Sequence, residues 1–157
     1  MTTINFKSSI QKGFTLIELL VVIAVLGVLA AAVVAAINPL EKINTAKDSN
    51  IKADISGIGN AMQAFYTGSG SAGTPTYPVS VAALVTAGEL KVEPKHPDGS
   101  SYVVAKTPGT CDATSGNECT NVAVYGAMLN PSVATGVWCF KSATGVTAEI
   151  ALASCTP

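Results

Sequence analysis

Few side chains in this chain can do chemistry, and they are unevenly placed. Charged residues make up 12% of the 157 positions, about half the usual share. All nine cations are lysine, set against ten acids for a net charge of −1. Neutralising many phosphates needs a basic surplus, and bidentate phosphate or base recognition leans on arginine. The charge pattern therefore gives no support to a nucleic-acid partner. His96 is the single histidine, between Lys95 and Pro97. No nucleophile or acid stands at a spacing that would orient it as a base, and its loop position predicts a solvent-exposed ring. There is no phosphate-cradling glycine loop, no G-x-S-x-G and no metal pair, so an enzyme is not expected. Cys111, Cys119, Cys139 and Cys155 form an even set. On an exported domain that set reads as disulfides; a four-thiolate zinc site is the alternative, but no pair has the short C-x2–4-C spacing. The remaining conspicuous group is Glu18, the only charge within residues 14–37.

The element that must position Glu18 is a membrane span. Residues 19–37 contain no polar side chain, and with residues 14–17 in front the apolar stretch covers twenty-four positions broken only by Thr15 and Glu18. A helix rising ~1.5 Å per residue crosses a ~30 Å hydrocarbon core in about 20 residues. The segment before it holds Lys7 and Lys12 as its only charges, while Glu41, Lys42, Lys47 and Asp48 beyond it roughly cancel. The positive-inside bias puts the N-terminus in the cytoplasm and residues 38–157 outside. A cleaved signal peptide, with Ala30–Ala32 imitating a small-residue site, and a plain signal anchor are the competing readings. The apolar run is longer than the ~7–15 residues of a signal-peptide core and carries an acid near its start. A charged side chain at the bilayer centre costs at least ~2.5–3.5 kcal/mol, so Glu18 either sits harmlessly at the interface or has a partner and a task.

The octapeptide Gly13-Phe14-Thr15-Leu16-Ile17-Glu18-Leu19-Leu20 lies on the cytoplasmic side of the run. It resembles the processing site of type IV prepilins and type II secretion pseudopilins. The resemblance implies cleavage after Gly13 by a prepilin peptidase, N-methylation of Phe14, and a membrane-resident pool fed to an inner-membrane assembly platform. It implies a homo-oligomeric helical filament in which Glu18 pairs with the new α-amine of a neighbouring Phe14 to set axial register. It also implies a C-terminal disulfide loop, Cys139–Cys155, as in many type IV pilins. Cys111 and Cys119 flank the unpatterned DATSGNE and are expected to close locally. Three pairings of four cysteines nonetheless remain open to the sequence. Ca²⁺ is bound by some pseudopilins in a nearby loop, and Glu89, Glu93 and Asp98 could supply oxygens; no other cofactor or metal is implied.

Beyond the span, Leu40, Ile43, Ile51, Ile55, Ile58, Met62 and Phe65 recur mostly at three- and four-residue steps, the pattern of an amphipathic helix. Pro39 predicts a kink near Asn38, and Gly27 is a second weak point. The helix is expected to end near Thr67, before the turn-rich GSGSAGTPTYP, read as an ordered loop. A short helix capped by Ser80 and ended by Gly88 follows. Strands are expected at 102–106, 122–129, 136–141 and 146–153, the last two joined by a four-residue hairpin loop. Alternation puts Trp138 and Phe140 on one face, packed on the stem, and Val137, Cys139 and Lys141 on the other. A regular hairpin would not set Cys139 opposite Cys155, so their bond requires the tail to curl back over the outward face. The expected class is α+β: a leader (1–13), a membrane and polymerisation helix (14–37), an amphipathic half-stem (38–66) and a head with a small antiparallel sheet (67–157). The order of short helix, Pro97-Asp98-Gly99 turn and strand resembles major pseudopilins, whereas a disulfide-closed C-terminus favours pilins. A signal-anchored extracytoplasmic binding domain is the reading from a different class.

A bulky replacement at Gly13 is expected to leave a stable, membrane-bound precursor, whereas the wild-type product should lose thirteen residues and gain a methyl group by intact mass. Filaments built from a Gly13 variant that kept its leader would refute this.

Overall fold

A computed structural model describes residues 13–69, 74–114 and 116–157. Most of the leader, including Lys7 and Lys12, and residues 70–73 of the turn-rich segment after α2 lie outside the described residues. The chain divides between Pro39 and Leu40 into two compact units.

The first unit contains α1, Leu16–Ile37, which runs unbroken through Gly27. Thr15, in an extended conformation, caps its N-terminus. Asn38 ends it with a left-handed backbone (φ 45°), one that asparagine tolerates better than most residues. None of the α1 residues is buried, and its mean hydropathy is 3.1.

The second unit begins one residue into α2, Pro39–Ser69. Proline suits the first helical position because its missing N–H would have no partner there. One stripe of α2 is fully buried: Ile51, Ile55, Ile58 and Met62. The stripe packs against Val122, Val124 and Phe140 of the sheet, with Tyr77, Val81, Leu84 and Tyr102 closing the sides. Burying such a side chain stabilises by roughly 1.5–3 kcal/mol, so four stacked turns supply much of the head's core. α3 is Val81–Thr86. Ser80 caps it by accepting from the Ala83 N–H. It closes in a Schellman pattern, the Glu89 N–H donating to Leu84 and the Gly88 N–H to Val85. That pattern needs the positive φ of Gly88 (84°).

Four strands follow: β1 Val103–Thr107, β2 Asn121–Ala127, β3 Gly136–Lys141 and β4 Val146–Ala151. They pair antiparallel in the order β1-β2-β3-β4, giving the α+β class expected of the sequence. Phe140 and the half-buried Trp138 face α2, with the Lys52 ammonium 4.7 Å from the Trp138 ring centre. The opposite face carries a second, smaller core of Ala123, Val137, Cys139 and Cys155.

Two strands stop earlier than their hydrophobic pattern indicates. β2 ends at Ala127; the Met128 N–H still donates to Gly136 O (3.3 Å), and buried Asp48 of α2 then takes the following amides, Leu129 N–H donating to Oδ1 (2.7 Å) and Asn130 N–H to Oδ2 (2.9 Å). β4 ends at Ala151, and Leu152–Ser154 forms a 3-10 turn that carries the tail back over the outer face.

At Gly59, α2 runs close enough to the sheet that a Cβ there would lie 2.7 Å from Cδ2 of Phe140. Gly57, on the same helix, is exposed, with nothing within 4 Å of such a Cβ. Gly59→Ala is therefore expected to destabilise the head by about 1–3 kcal/mol, while Gly57→Ala stabilises it by up to ~1 kcal/mol. Denaturant midpoints of the two variants should shift in opposite directions; shifts of the same sign would show that the Phe140 ring yields.

Candidate processing and assembly site

The Gly13–Phe14 peptide bond precedes the helix. Residues 13–15 are not helical, all three are exposed, and nothing lies within 4 Å of a Cβ built at Gly13. A scissile bond must be held extended by its peptidase, and an exposed, non-helical peptide with a glycine on its leaving side meets that need without unwinding α1.

Two residues on, Thr15 and Glu18 form a capping box. The Thr15 N–H donates to Glu18 Oε2 (2.9 Å), the Thr15 hydroxyl donates to the same oxygen (2.8 Å), and the Glu18 N–H donates to Thr15 Oγ1 (3.3 Å). Glu18 thus occupies the third helical position, where a carboxylate also meets the positive end of the helix dipole. Its neighbours are apolar: Phe14, Ile17, Val21 and Val22 line the same shallow groove. With Gly13 in place, the one acid of residues 14–37 is held in local hydrogen bonds. Cleavage after Gly13 would replace the Phe14 amide with a charged amine one turn away.

The cysteines lie in the second unit. Cys111 is bonded to Cys119 and Cys139 to Cys155, with Cα separations of 5.2 and 6.0 Å. Cys111 and Cys119 sit in the helix-facing core, whereas Cys139 and Cys155 anchor the outer one. The tail reaches Cys139 through the 3-10 turn, braced by the Leu152 N–H donating to Thr135 O and the Lys141 ammonium donating to Ser154 O.

The acids considered for calcium are otherwise engaged or spread apart. Glu93 pairs with Lys95 at 2.8 Å, and Asp98 accepts from the Ser100 N–H at 2.8 Å. Among the described residues no group of three or more His, Cys, Asp or Glu is placed to hold a metal ion. His96 departs from expectation. It is buried, its Nε2 donating to the Ala127 carbonyl (2.8 Å) and its Nδ1 3.0 Å from Asp98 Oδ1. The partner that pulls the ring inside is thirty-one residues away, and no local pattern reveals it. Asp48 was missed for the same reason. Its spacing on the polar side of α2 reads as a solvated charge, yet it is one of the buried acceptors that shape the head.

Residues 8–34 match the family described as the prokaryotic N-terminal methylation motif, the signature of type IV pilins and pseudopilins. No curated protein and no solved structure matches the chain. The exposed apolar helix and the disulfide-bonded head fit that signature. The motif supports a pilin-like or pseudopilin structural subunit, and with the apolar helix it suggests a membrane-anchored precursor.

The Cys139–Cys155 bond joins positions sixteen apart and ties the 3-10 turn Leu152–Ser154 to β3. Replacing both cysteines by serine is expected to cost on the order of 3 kcal/mol on the chain-entropy model and to raise hydrogen exchange in residues 152–157. Denaturant unfolding of the full chain in detergent, with and without reductant, measures the cost; no difference from wild type would make the bond incidental.

Proposed function

We propose that this chain is the subunit of a type IV pilus-like filament: cleaved after Gly13, methylated on Phe14, and polymerised through residues 14–37. One observation carries the reading. Among the described residues none of a twenty-two-residue helix of high hydropathy is buried, and one carboxylate stands in its first turn. Such a helix needs lipid first and, after extraction, other copies of itself. The disulfide-closed C-terminus supports a surface pilus serving adhesion, motility or DNA uptake, with no positive charge surplus to aid the last. The Pro97-Asp98-Gly99 turn before β1 supports the second reading, a pseudopilus of a secretion system.

In the membrane store the capping box satisfies Glu18 within its own chain, so the pool of precursor does not depend on a neighbour. During assembly one stem slides along others in uniformly apolar surroundings. Leucine and valine side chains give little axial preference, because packing is similar after each small shift. A carboxylate meeting a neighbour's α-amine supplies that preference, since either group left unpaired in hydrocarbon costs several kcal/mol.

Glu18→Ala removes the register signal while keeping the span apolar and long enough. Normal insertion and cleavage are expected, with few or no filaments when the variant is the only copy, and Glu18→Asp should be partly impaired. Filament counts at matched membrane levels decide the matter; wild-type numbers with Glu18→Ala would make the acid a bystander.

A further inference from the structure

We propose that the end of the head at which the chain enters from α1 docks on the lipid headgroup layer of the leaflet from which α2 emerges. The docking rests on the reading of α1 as a membrane span. The pairing of helix and sheet defines that end. Ile51 Cγ2, near the start of the buried stripe of α2, lies 3.4 Å from a Cβ built at Gly126, close to the end of β2. Asp48, nearly one turn earlier, holds the Leu129 and Asn130 amides. Val103 opposite Tyr125 and Gly136 opposite Ala151 close the sheet there, whereas Lys141 opposite Val146 closes its other end.

Exposed apolar side chains gather at this end. Leu40 and Ile43 stand on the first turns of α2, Leu129 and Val133 on the loop after β2, Val103 at the start of β1 and Leu152 on the turn after β4. Among the described residues of the second unit, only Val92 and Val146 add to these six as exposed large apolar side chains. Clustering of that kind marks a surface that is covered in use.

The loop after β2 is built for an apolar setting as well. The Leu129 and Asn130 N–H groups donate to Asp48, and the Ser132 and Val133 N–H groups donate to Glu149. Pro131 has no N–H, so no amide from 129 to 133 needs water. An unpaired amide is costly where water is scarce, a requirement that a loop bound for open solvent does not face. Lys42 and Lys47 are exposed on the first turns of α2 against a single exposed acid, Glu41, a balance that suits anionic headgroups.

Continuity with the span selects lipid as the cover. Ile37 ends the apolar helix, and the eleven residues from there to Asp48 rise ~16 Å along a helix axis. The headgroup layer is only ~5–7 Å deep on each side, so an upright α2 would hold the loop clear of it. The left-handed Asn38 and the missing N–H of Pro39 interrupt the helix at the boundary, which leaves α2 free to lean. Leaning brings Leu129 and Val133 down beside Ile43 and covers the apolar end of the head until the subunit leaves the membrane.

Methyl NMR tests this on the full chain in nanodiscs of phosphatidylethanolamine and phosphatidylglycerol, one chain per disc, with a gadolinium chelate on a fraction of the headgroups. Relaxation of the Leu129 and Val133 methyls is expected to exceed that of Val146, at the far end of strands ~17 Å long, by at least ~tenfold. Leu129→Ser combined with Val133→Ser keeps the amides held by Asp48 and Glu149, and should bring the Leu152 methyls down to the Val146 level. A spin label on the acyl chains reads the methyls of residues 21–37 separately. Relaxed span methyls with Leu129 and Val133 no faster than Val146 overturn the docking alone. Unrelaxed span methyls overturn the span reading and the docking with it. Leu152 enhancement undiminished in the double variant overturns the docking too. Enhancement that needs two or more chains per disc gives the face to a second copy instead of lipid.

Discussion

A four-stranded sheet of short strands cannot bury a face by itself, and one side of α2 provides the missing cover. Ile51, Ile55, Ile58 and Met62 descend in a single buried line beneath the sheet. The polar residues between them are equally committed. Asp48 holds the amides that follow β2, Lys52 lies over Trp138, and Asp54 takes the Tyr102 hydroxyl. Turn after turn, a side chain of α2 thus fixes a different part of the head. Gly59 permits the approach at the centre, where any side chain would meet the Phe140 ring. Substitutions along this face should unfold the head rather than alter one contact, because the helix and the sheet complete a single core.

Residues 16–37 present the reverse situation. The apolar content is higher, yet no residue is buried. Exposed apolar surface on this scale marks a place where lipid or other chains belong. The capping box fits the same logic, because a carboxylate entering hydrocarbon must be satisfied from the outset, and Thr15 does so within four residues. On the proposed reading, cleavage after Gly13 would set that local solution against an amine on a neighbouring stem, and this competition would turn a membrane anchor into an assembly element.

Local pattern made much of this legible. The apolar helix Leu16–Ile37 follows from an unbroken apolar run, and the α2 stripe and the facing of Trp138 and Phe140 follow from periodicity. The caps of α3 came from Ser80 and Gly88. What pattern could not supply was long-range polar pairing. Val122 to Leu129 reads as one strand, but Asp48, eighty-one positions away, claims the Leu129 amide and shortens it. Residues 146–153 read as another strand, yet the tail must turn after Ala151 to bring Cys155 to Cys139. His96 in a proline-flanked loop reads as exposed; the carbonyl of Ala127 draws it inside. Each departure is a single polar or covalent bond between distant positions overriding local hydrophobic alternation.

The central claim, that this chain polymerises through its exposed helix, is tested most directly by electron microscopy of cells expressing it, labelled with an antibody against residues 74–157. Label distributed along the whole length of surface or periplasmic filaments, with the protein in those filaments beginning at methylated Phe14, is the expected result. Label confined to the membrane, on chains that still begin at the leader, would contradict it.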